Sequence, residues 1–322
     1  MRYRKLGKTG IAVSVIGFGG SPLGNLFGGV PVIDDATLVG TAIDCGINFF
    51  DVSPYYGLGL AEERLGAALG SHRNEVILAT KCGRYGADSF DFSAATITER
   101  LEDSLRRLRT DAVDILQAHD VEFGDTTQVL EETIPALVEL KRQGKTRFIG
   151  ITGYWPGLLS KLATESSVDT VLNYCHSNLF ADDMDEALTP LAQSSGFGLI
   201  NASPLHMGLL SGKPVPEWHP APLPVRDAAA RVVAFCKRRH VDPGTLALWT
   251  CLQHPVAAST LVGLADKTQI TESCAALEFL PEEDFLSEVR AIIAPIHNTF
   301  WPQGRIQNEY ISGNDRVPHR VQ

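Results

Sequence analysis

No two of the six cysteines in this 322-residue chain are spaced C-x-x-C, which excludes a paired-thiolate zinc site and a dithiol redox motif. Cys45, Cys82, Cys175, Cys236, Cys251 and Cys274 are scattered, as expected of reduced core thiols rather than a disulfide framework. H-E-x-x-H is absent too, and no metal site is expected. No apolar run comes near the roughly 18–20 residues that a membrane-spanning helix needs, so no membrane partner is expected. The N-terminus, MRYRKLGKTG, lacks the apolar stretch of a signal peptide, and the expected location is cytoplasmic. Basic residues form no stripe: 28 stand against 38 acidic, for a net charge of −10. A phosphate backbone then has no electrostatic hold, which excludes nucleic acid as a partner. The one basic cluster, Lys237 to His240, ends a helical pattern, where cations complement the helix dipole. GFGGSPLG at 17–24 fails as G-x-G-x-x-G because Pro22 stands sixth, and G-x-x-x-x-G-K-[ST] is missing. A Rossmann or P-loop phosphate site is therefore unsupported.

What the chain does have is a regular alternation of strand-like and helix-like segments. Strands are expected at 13–19, 48–52, 75–81, 112–119, 147–152, 170–175, 198–203 and 259–263. Several are continuous apolar runs, as for strands buried on both faces. Between them, Ile97, Leu101, Leu105 and Leu108 form one helical stripe, and Leu130, Ile134, Leu137 and Leu140 another. Asp34 is expected to cap the helix before Gly46, while Gly70 and Gly144 end helices. Eight such alternations predict an α/β fold: one parallel eight-stranded (β/α)₈ TIM barrel occupying residues 1–322 as a single domain. An N-terminal hairpin turning at Lys8-Thr9-Gly10 is expected to plug the barrel bottom. The prolines from Pro214 to Pro224 suit an ordered loop after the seventh strand. The tail from Phe300, with Trp301, Pro302 and Tyr310, either covers the barrel mouth or trails in solvent.

Asp51, Lys81 and His119 each close an apolar strand, a place where a charge is useful only if the strand end opens onto a site. In a (β/α)₈ barrel it does, because the active site lies at the C-terminal face. Tyr56 follows Asp51 in DVSPYYG. A tyrosine with a pKa of about 10 is a poor base near neutrality, but a neighbouring ammonium lowers that value. Lys81 is expected to supply it, with Asp51 holding Lys81 and His119 orienting the substrate oxygen. This set suits proton transfer coupled to hydride transfer at an alcohol or carbonyl carbon. SPLHMGLLSG at 203–212 follows the seventh strand, where barrels often hold phosphate.

FFDVSPYYG, TKCGRY, LQAHD, GKTRFIGIT and SPLHMGLLSG together resemble the aldo-keto reductases over nearly the whole chain. The resemblance implies a catalytic tetrad of Asp51, Tyr56, Lys81 and His119. It implies a nicotinamide cofactor held by Gly20, Ser21, Thr152, Ser203, Leu205, Gly208, Leu210, Gly263, Gln269 and Ser273. GGSPLG, FDFSA, HDVEFG, ETIPAL, PEWHPA and TFWPQG further resemble family members that oxidise L-galactose at C1 to L-galactono-1,4-lactone. Members acting on L-fucose, D-arabinose or pyridoxal share much of that pattern. A small sugar is the expected partner, bound by Asp120, Tyr154, Trp155 and Trp301 with help from Glu122, in a monomer or weak homo-oligomer.

Three departures from the family pattern bear on the cofactor. Thr152-Gly153 stands where Ser-Asn is usual, and Ala202 where a tyrosine usually stacks on the nicotinamide, leaving Cys175 or Tyr174 to hold the ring. Gly263, Leu264 and Gln269 replace the Lys, Ser and Arg that grip a 2′-phosphate, and only Lys267 is near. A phosphate wants Arg or Lys, so NAD is expected over NADP. The competing readings are a carbonyl reductase working in the opposite direction and a non-enzymatic regulatory barrel, against which the intact tetrad argues.

Overall fold

The computed structural model describes residues 1–25, 34–215 and 217–311. Pro216 and the end of the tail, residues 312–322, lie outside the described residues, as does the stretch 26–33. Among the described residues the chain forms ten strands: β1 (Tyr3–Lys5), β2 (Ala12–Ser14), β3 (Ile16–Gly19), β4 (Phe49–Asp51), β5 (Ile77–Cys82), β6 (Val113–Ala118), β7 (Thr146–Gly153), β8 (Thr170–Tyr174), β9 (Gly198–Ala202) and β10 (Ser259–Gly263). β3 to β10 close into a parallel barrel in sequence order, with β10 pairing β3. The expected eight-stranded barrel is therefore present.

The expected strand at 13–19 is in fact two. Its first half pairs antiparallel with β1, and its second half enters the barrel. The break has a local cause: the Ser14 hydroxyl bonds the Ile16 carbonyl, and the Asn48 side chain ties the Ser14 N–H and the Ala12 carbonyl. The β1–β2 hairpin plugs the barrel floor. Its Leu6 and Val13 join Phe49, Ala79, Ile115, Leu172, Ile200 and Leu261 in one buried cluster. Gly198 must be glycine here, since an added Cβ would lie 2.5 Å from Leu6.

Side chains alternate faces along a strand, so residues two positions after this apolar floor share its face. Those residues are Asp51 after Phe49, Lys81 after Ala79, and Gln117 then His119 after Ile115. One periodicity thus builds an apolar plug and, above it, a layer of polar side chains.

The helices follow their expected stripes. Ile97, Leu101, Leu105 and Leu108 are buried on Ala94–Leu108, capped by Ser93. Asp34 caps Asp35–Asp44 through the N–H groups of Ala36 and Thr37. Gly70 closes Leu60–Leu69, and Gly144 follows Ile134–Arg142 in the left-handed region. A π turn at Val129–Thr133 precedes Pro135, which has no N–H to continue a regular ladder. Among the described residues no helix is long and apolar enough to cross a membrane.

Candidate active site

Asp51, Lys81 and His119 come from the ends of β4, β5 and β6, and Tyr56 from the loop after β4. The structure brings all four together. Lys81 Nζ donates to an Asp51 carboxylate oxygen in a fully buried ion pair, to the Val52 carbonyl at 2.9 Å and to Tyr56 Oη at 3.4 Å. Gln117 Nε2 donates to the other Asp51 oxygen at 3.0 Å. Burial works against the Lys81 charge, but Asp51 and then Tyr56 reverse it and raise the Lys81 pKa, so the ammonium persists. A buried pair of this kind adds little stability, because desolvation offsets the attraction. What it provides is a fixed cation beside a phenol.

The expected lowering of the Tyr56 pKa needs correction. Burial dominates and pushes it up to about 12, with Lys81 pulling the other way. Tyr56 is therefore a protonated phenol near neutrality in the protein alone.

His119 Nδ1 lies 3.0 Å from Ser53 Oγ, which already accepts from the Tyr55 N–H. The serine hydroxyl is thus free to donate to Nδ1, which assigns the proton to Nε2. Nε2 in turn lies 3.5 Å from an Asp120 carboxylate oxygen. Burial first, then the charges of Lys81 and Arg84, hold the His119 pKa well below its usual value, so the ring is neutral. Asp120, at φ 53°, donates its N–H to Thr152 Oγ1 at 3.0 Å, and its carboxylate pairs with Arg84. Cys175 and Ser203, just past β8 and β9, also have left-handed backbones.

Gln117, Ser53 and Arg84 belong to this site although sequence reading passed over them. Gln117 carried a signal: it is the polar residue inside the DILQA run, in phase with Ile115. Arg84 is the basic residue of TKCGRY that the strand pattern leaves over.

The expected cofactor residues divide. Gly20, Thr152 and Gly263 stand at or beside strand ends, and Ser21 Oγ would lie 3.7 Å from a Cβ added at Gly263. Ser203, Leu205 and Gly208 belong to the partly exposed turn after β9. Leu210 is fully buried and Ser273 nearly so, late in the helix Lys267–Ala275. The Gln269 side chain accepts from the Ala265 N–H at 2.8 Å, and Asp266 caps the same helix. A flat carboxamide could bond what remains: at the end of β8, the buried Asn173 Oδ1 has no hydrogen-bond partner, and the small Ala202 stands in register opposite Tyr174. Of the two side chains expected to hold the ring, Cys175 is fully buried, whereas Tyr174 is partly exposed. Among the described residues, no group of three or more His, Cys, Asp or Glu is placed to hold a metal ion.

The expected aromatic lining is also corrected. Tyr154 and Trp155 are fully buried and Trp301 is 2 % exposed. Tyr154 packs edge-on to Trp155 and His176, and Trp155 Nε1 donates to the Gln303 carbonyl at 2.8 Å. These rings dock the tail: Arg305 N–H and Asn308 Nδ2 bond the Glu122 carbonyl. Glu122 is fully buried, accepting from Tyr154 N–H and Tyr174 Oη, and so is not an open acceptor for sugar hydroxyls. Asp120 keeps its place beside His119.

A closed parallel barrel with this polar layer at its C-terminal rim defines the class, and the chain belongs to the aldo/keto reductase family, whose model matches residues 15–294. It is 45 % identical to the L-galactose dehydrogenase of Arabidopsis thaliana, over 96 % of this chain and 99 % of that one. A D-threo-aldose 1-dehydrogenase of a Pseudomonas species is 28 % identical, over 84 % of this chain and 92 % of its own. Among solved structures, the holo form of an aldo-keto reductase from Bacillus halodurans superposes with a TM-score of 0.74 at 28 % identity, covering 96 % and 99 % of the two chains. The protein is thus an oxidoreductase of the aldo-keto reductase type.

Proposed function

We propose that this protein oxidises L-galactose at C1 to L-galactono-1,4-lactone with NAD as acceptor. The observation that carries the reading is the 45 % identity to the Arabidopsis L-galactose dehydrogenase over almost the full length of both chains. The arrangement of Asp51, Tyr56, Lys81 and His119 supports it.

Bound NAD⁺ supplies the hydride acceptor and a positive charge beside the site. Asn173 Oδ1, Thr152, Ser203, Gly208 and Gly263 are the groups we assign to hold it, with Tyr174 in place of the usual stacking tyrosine. His119 donates Nε2–H to the C1 oxygen and orients it. The phenolate form of Tyr56, a minor species at neutrality, takes the C1 hydroxyl proton as C1 gives up hydride to the acceptor and becomes a carbonyl carbon, the general-base step. Lys81, fixed by Asp51 and Gln117, offsets the negative charge of the Tyr56 phenolate before it takes up that proton. Asp120 accepts a hydrogen bond from a second sugar hydroxyl.

NAD is favoured over NADP because the segment after β10 offers a 2′-phosphate poor company. Leu264 is buried, Gln269 is occupied by the Ala265 N–H, and Asp266 is itself an anion. Lys267 lies close enough to Asp34 to act on its charge. A second reading keeps the chemistry and changes the sugar. The Pseudomonas relative is named a D-threo-aldose 1-dehydrogenase, and the burial of Tyr154 and Trp155 takes away the aromatic surface expected to meet the sugar ring. Catalytic efficiencies for L-galactose, L-fucose, D-arabinose and pyridoxal with NAD and NADP, followed by reduced-nicotinamide absorbance, test both. Turnover of none of the three sugars, or a preference for pyridoxal, rejects the proposal.

A further inference from the structure

Arg84 belongs neither to the tetrad nor to any cofactor segment, yet it is held more closely than a surface arginine. Its guanidinium lies 3.9 Å from the Tyr55 ring centre, 5.1 Å from that of Phe90 and 5.2 Å from that of Phe123. Phe90 and Phe123 stack at 4.5 Å to form one wall of this cage. Nη1 donates to Asp120 Oδ2, the same oxygen that lies 3.5 Å from His119 Nε2. Asp120 is fixed from its other end by the bond from its N–H to Thr152. One carboxylate oxygen is therefore contested by a permanent cation and a neutral imidazole.

We infer that Arg84 is a positioning residue: by claiming Asp120 Oδ2 it stops Asp120 and His119 from closing into an ion pair, and so leaves His119 Nε2–H free for the substrate oxygen. The other charged and titratable groups around the pair cannot take its place. Lys81, from β5, also acts on the Asp120 charge, but its hydrogen bonds go to Asp51, Val52 and Tyr56. Tyr55 and Tyr56 after β4 and Tyr174 on β8 carry no positive charge, and Glu122 on Asp120's own loop is another acid. Without Arg84, the nearest group able to become a cation for the buried Asp120 carboxylate is His119 itself. Proton uptake by the ring would then turn Nε2–H toward Asp120. A planar, always-charged guanidinium stacked on aromatic faces suits this clamp better than a flexible ammonium.

The inference rests on the proposed function only in its kinetic arm. The direct test is an NMR pH titration of the His119 ring in the full-length protein, assigned with His119→Asn. We expect the wild-type ring to stay neutral through the neutral range. In Arg84→Met the midpoint should rise by about one pH unit or more, the size expected from an uncompensated carboxylate within hydrogen-bond reach. Arg84→Lys, which keeps the charge, should restore most of the wild-type behaviour, and adding Asp120→Asn to Arg84→Met should cancel the rise. Arg84→Gln serves if the methionine variant does not fold, and the same rise is expected of it. In the kinetic arm, KM for L-galactose should rise about tenfold in Arg84→Met, more than kcat falls, from loss of the His119 Nε2–H donor to the substrate oxygen. An unchanged His119 midpoint, or equal shifts in the lysine and methionine variants, would overturn the inference, the latter by showing that cage packing alone matters. Should the wild-type protein turn over no sugar, the proposed function fails while the titration still decides the role of Arg84.

Discussion

Lys81 Nζ stands 3.4 Å from Tyr56 Oη and 4.9 Å from the centre of its ring, while the fully buried Asp51 carboxylate grips the same ammonium from the other side. The tyrosine hydroxyl is thus the one member of the trio left to exchange a proton with a ligand. Tyr56→Phe keeps the ring and removes the base. We expect kcat to fall by about 10²–10⁴-fold, the usual range for general acid–base catalysis. Cofactor affinity, followed by protein fluorescence, should stay within about twofold, since a conservative exchange of this kind leaves the packing intact. Near-normal turnover would move the base elsewhere.

The same trio sets a pH dependence. Tyr56 is pushed up to about 12, chiefly by burial, so the phenolate is a minor species at neutrality and its share grows with pH. Sugar oxidation draws on that share. Its catalytic efficiency should therefore climb from pH 7 toward pH 9. Carbonyl reduction, which uses the protonated phenol, should be nearly flat over that window. Initial rates in both directions at matched ionic strength check this, and an oxidation rate that falls over this range contradicts it.

Cofactor choice is testable at the end of β10. In Gln269→Arg, a guanidinium enters near the ribose end of the proposed cofactor path, and efficiency with NADP should rise by about tenfold, the equivalent of one charge-assisted hydrogen bond. The exchange also frees the Ala265 N–H that Gln269 now satisfies, so efficiency with NAD should drop modestly. Steady-state kinetics with both cofactors settle the matter. Equal use of the two by the unmutated enzyme would count against the electrostatic argument.

The barrel and the layer of Asp51, Lys81 and His119 were legible because both rest on period two. An apolar strand ending in a polar, titratable side chain, repeated at these three positions, can be read without coordinates; Tyr56, on the loop after β4, was read from its motif. Gln117 obeys the same phase but lacks a charge, and it hides inside an apolar run. The split of the first strand was not legible, because it depends on the Asn48 side chain reaching back to Ser14 from another strand. The sign of the Tyr56 shift was misread for a related reason: sequence shows the neighbouring charge but not the depth of burial that outweighs it. Tyr154, Trp155 and Trp301 show the limit most plainly. Tyr154 and Trp155 follow the end of β7, the position of a mouth, and only the docking of the tail, Trp301 with it, shows that they are covered.

Trp155 is accordingly a residue of stability. It is fully buried, and its Nε1–H to Gln303 bond of 2.8 Å ties the tail to the start of the helix Pro156–Thr164. Trp155→Ala should cost about 3–5 kcal/mol, as for other large-to-small changes in a core. A lowered thermal midpoint with KM for the sugar nearly unchanged in the surviving folded fraction is the expected result. A large rise in KM without loss of stability would return Trp155 to the binding surface.

Glu122 makes a prediction in which the sign is the test. Its carboxyl is fully buried, Oε2 has no hydrogen-bond partner, and the Asp120 charge stands near. Burial first, then Asp120, push its pKa up to about 8, against about 4.3 for a free side chain. The folded state then holds a proton that the unfolded chain releases across that whole interval. This group's contribution to stability is present below pH 4 and is lost progressively as pH rises to about 8, beyond which it changes no further. Glu122→Gln keeps a side-chain carbonyl to accept from Tyr154 N–H and Tyr174 Oη and cannot ionise. The variant's thermal midpoint should therefore gain on the wild type as pH goes from 5 to 8. A constant difference from pH 5 to 8 would mean that Glu122 is already ionised in the folded protein, with a pKa no higher than that of the free side chain.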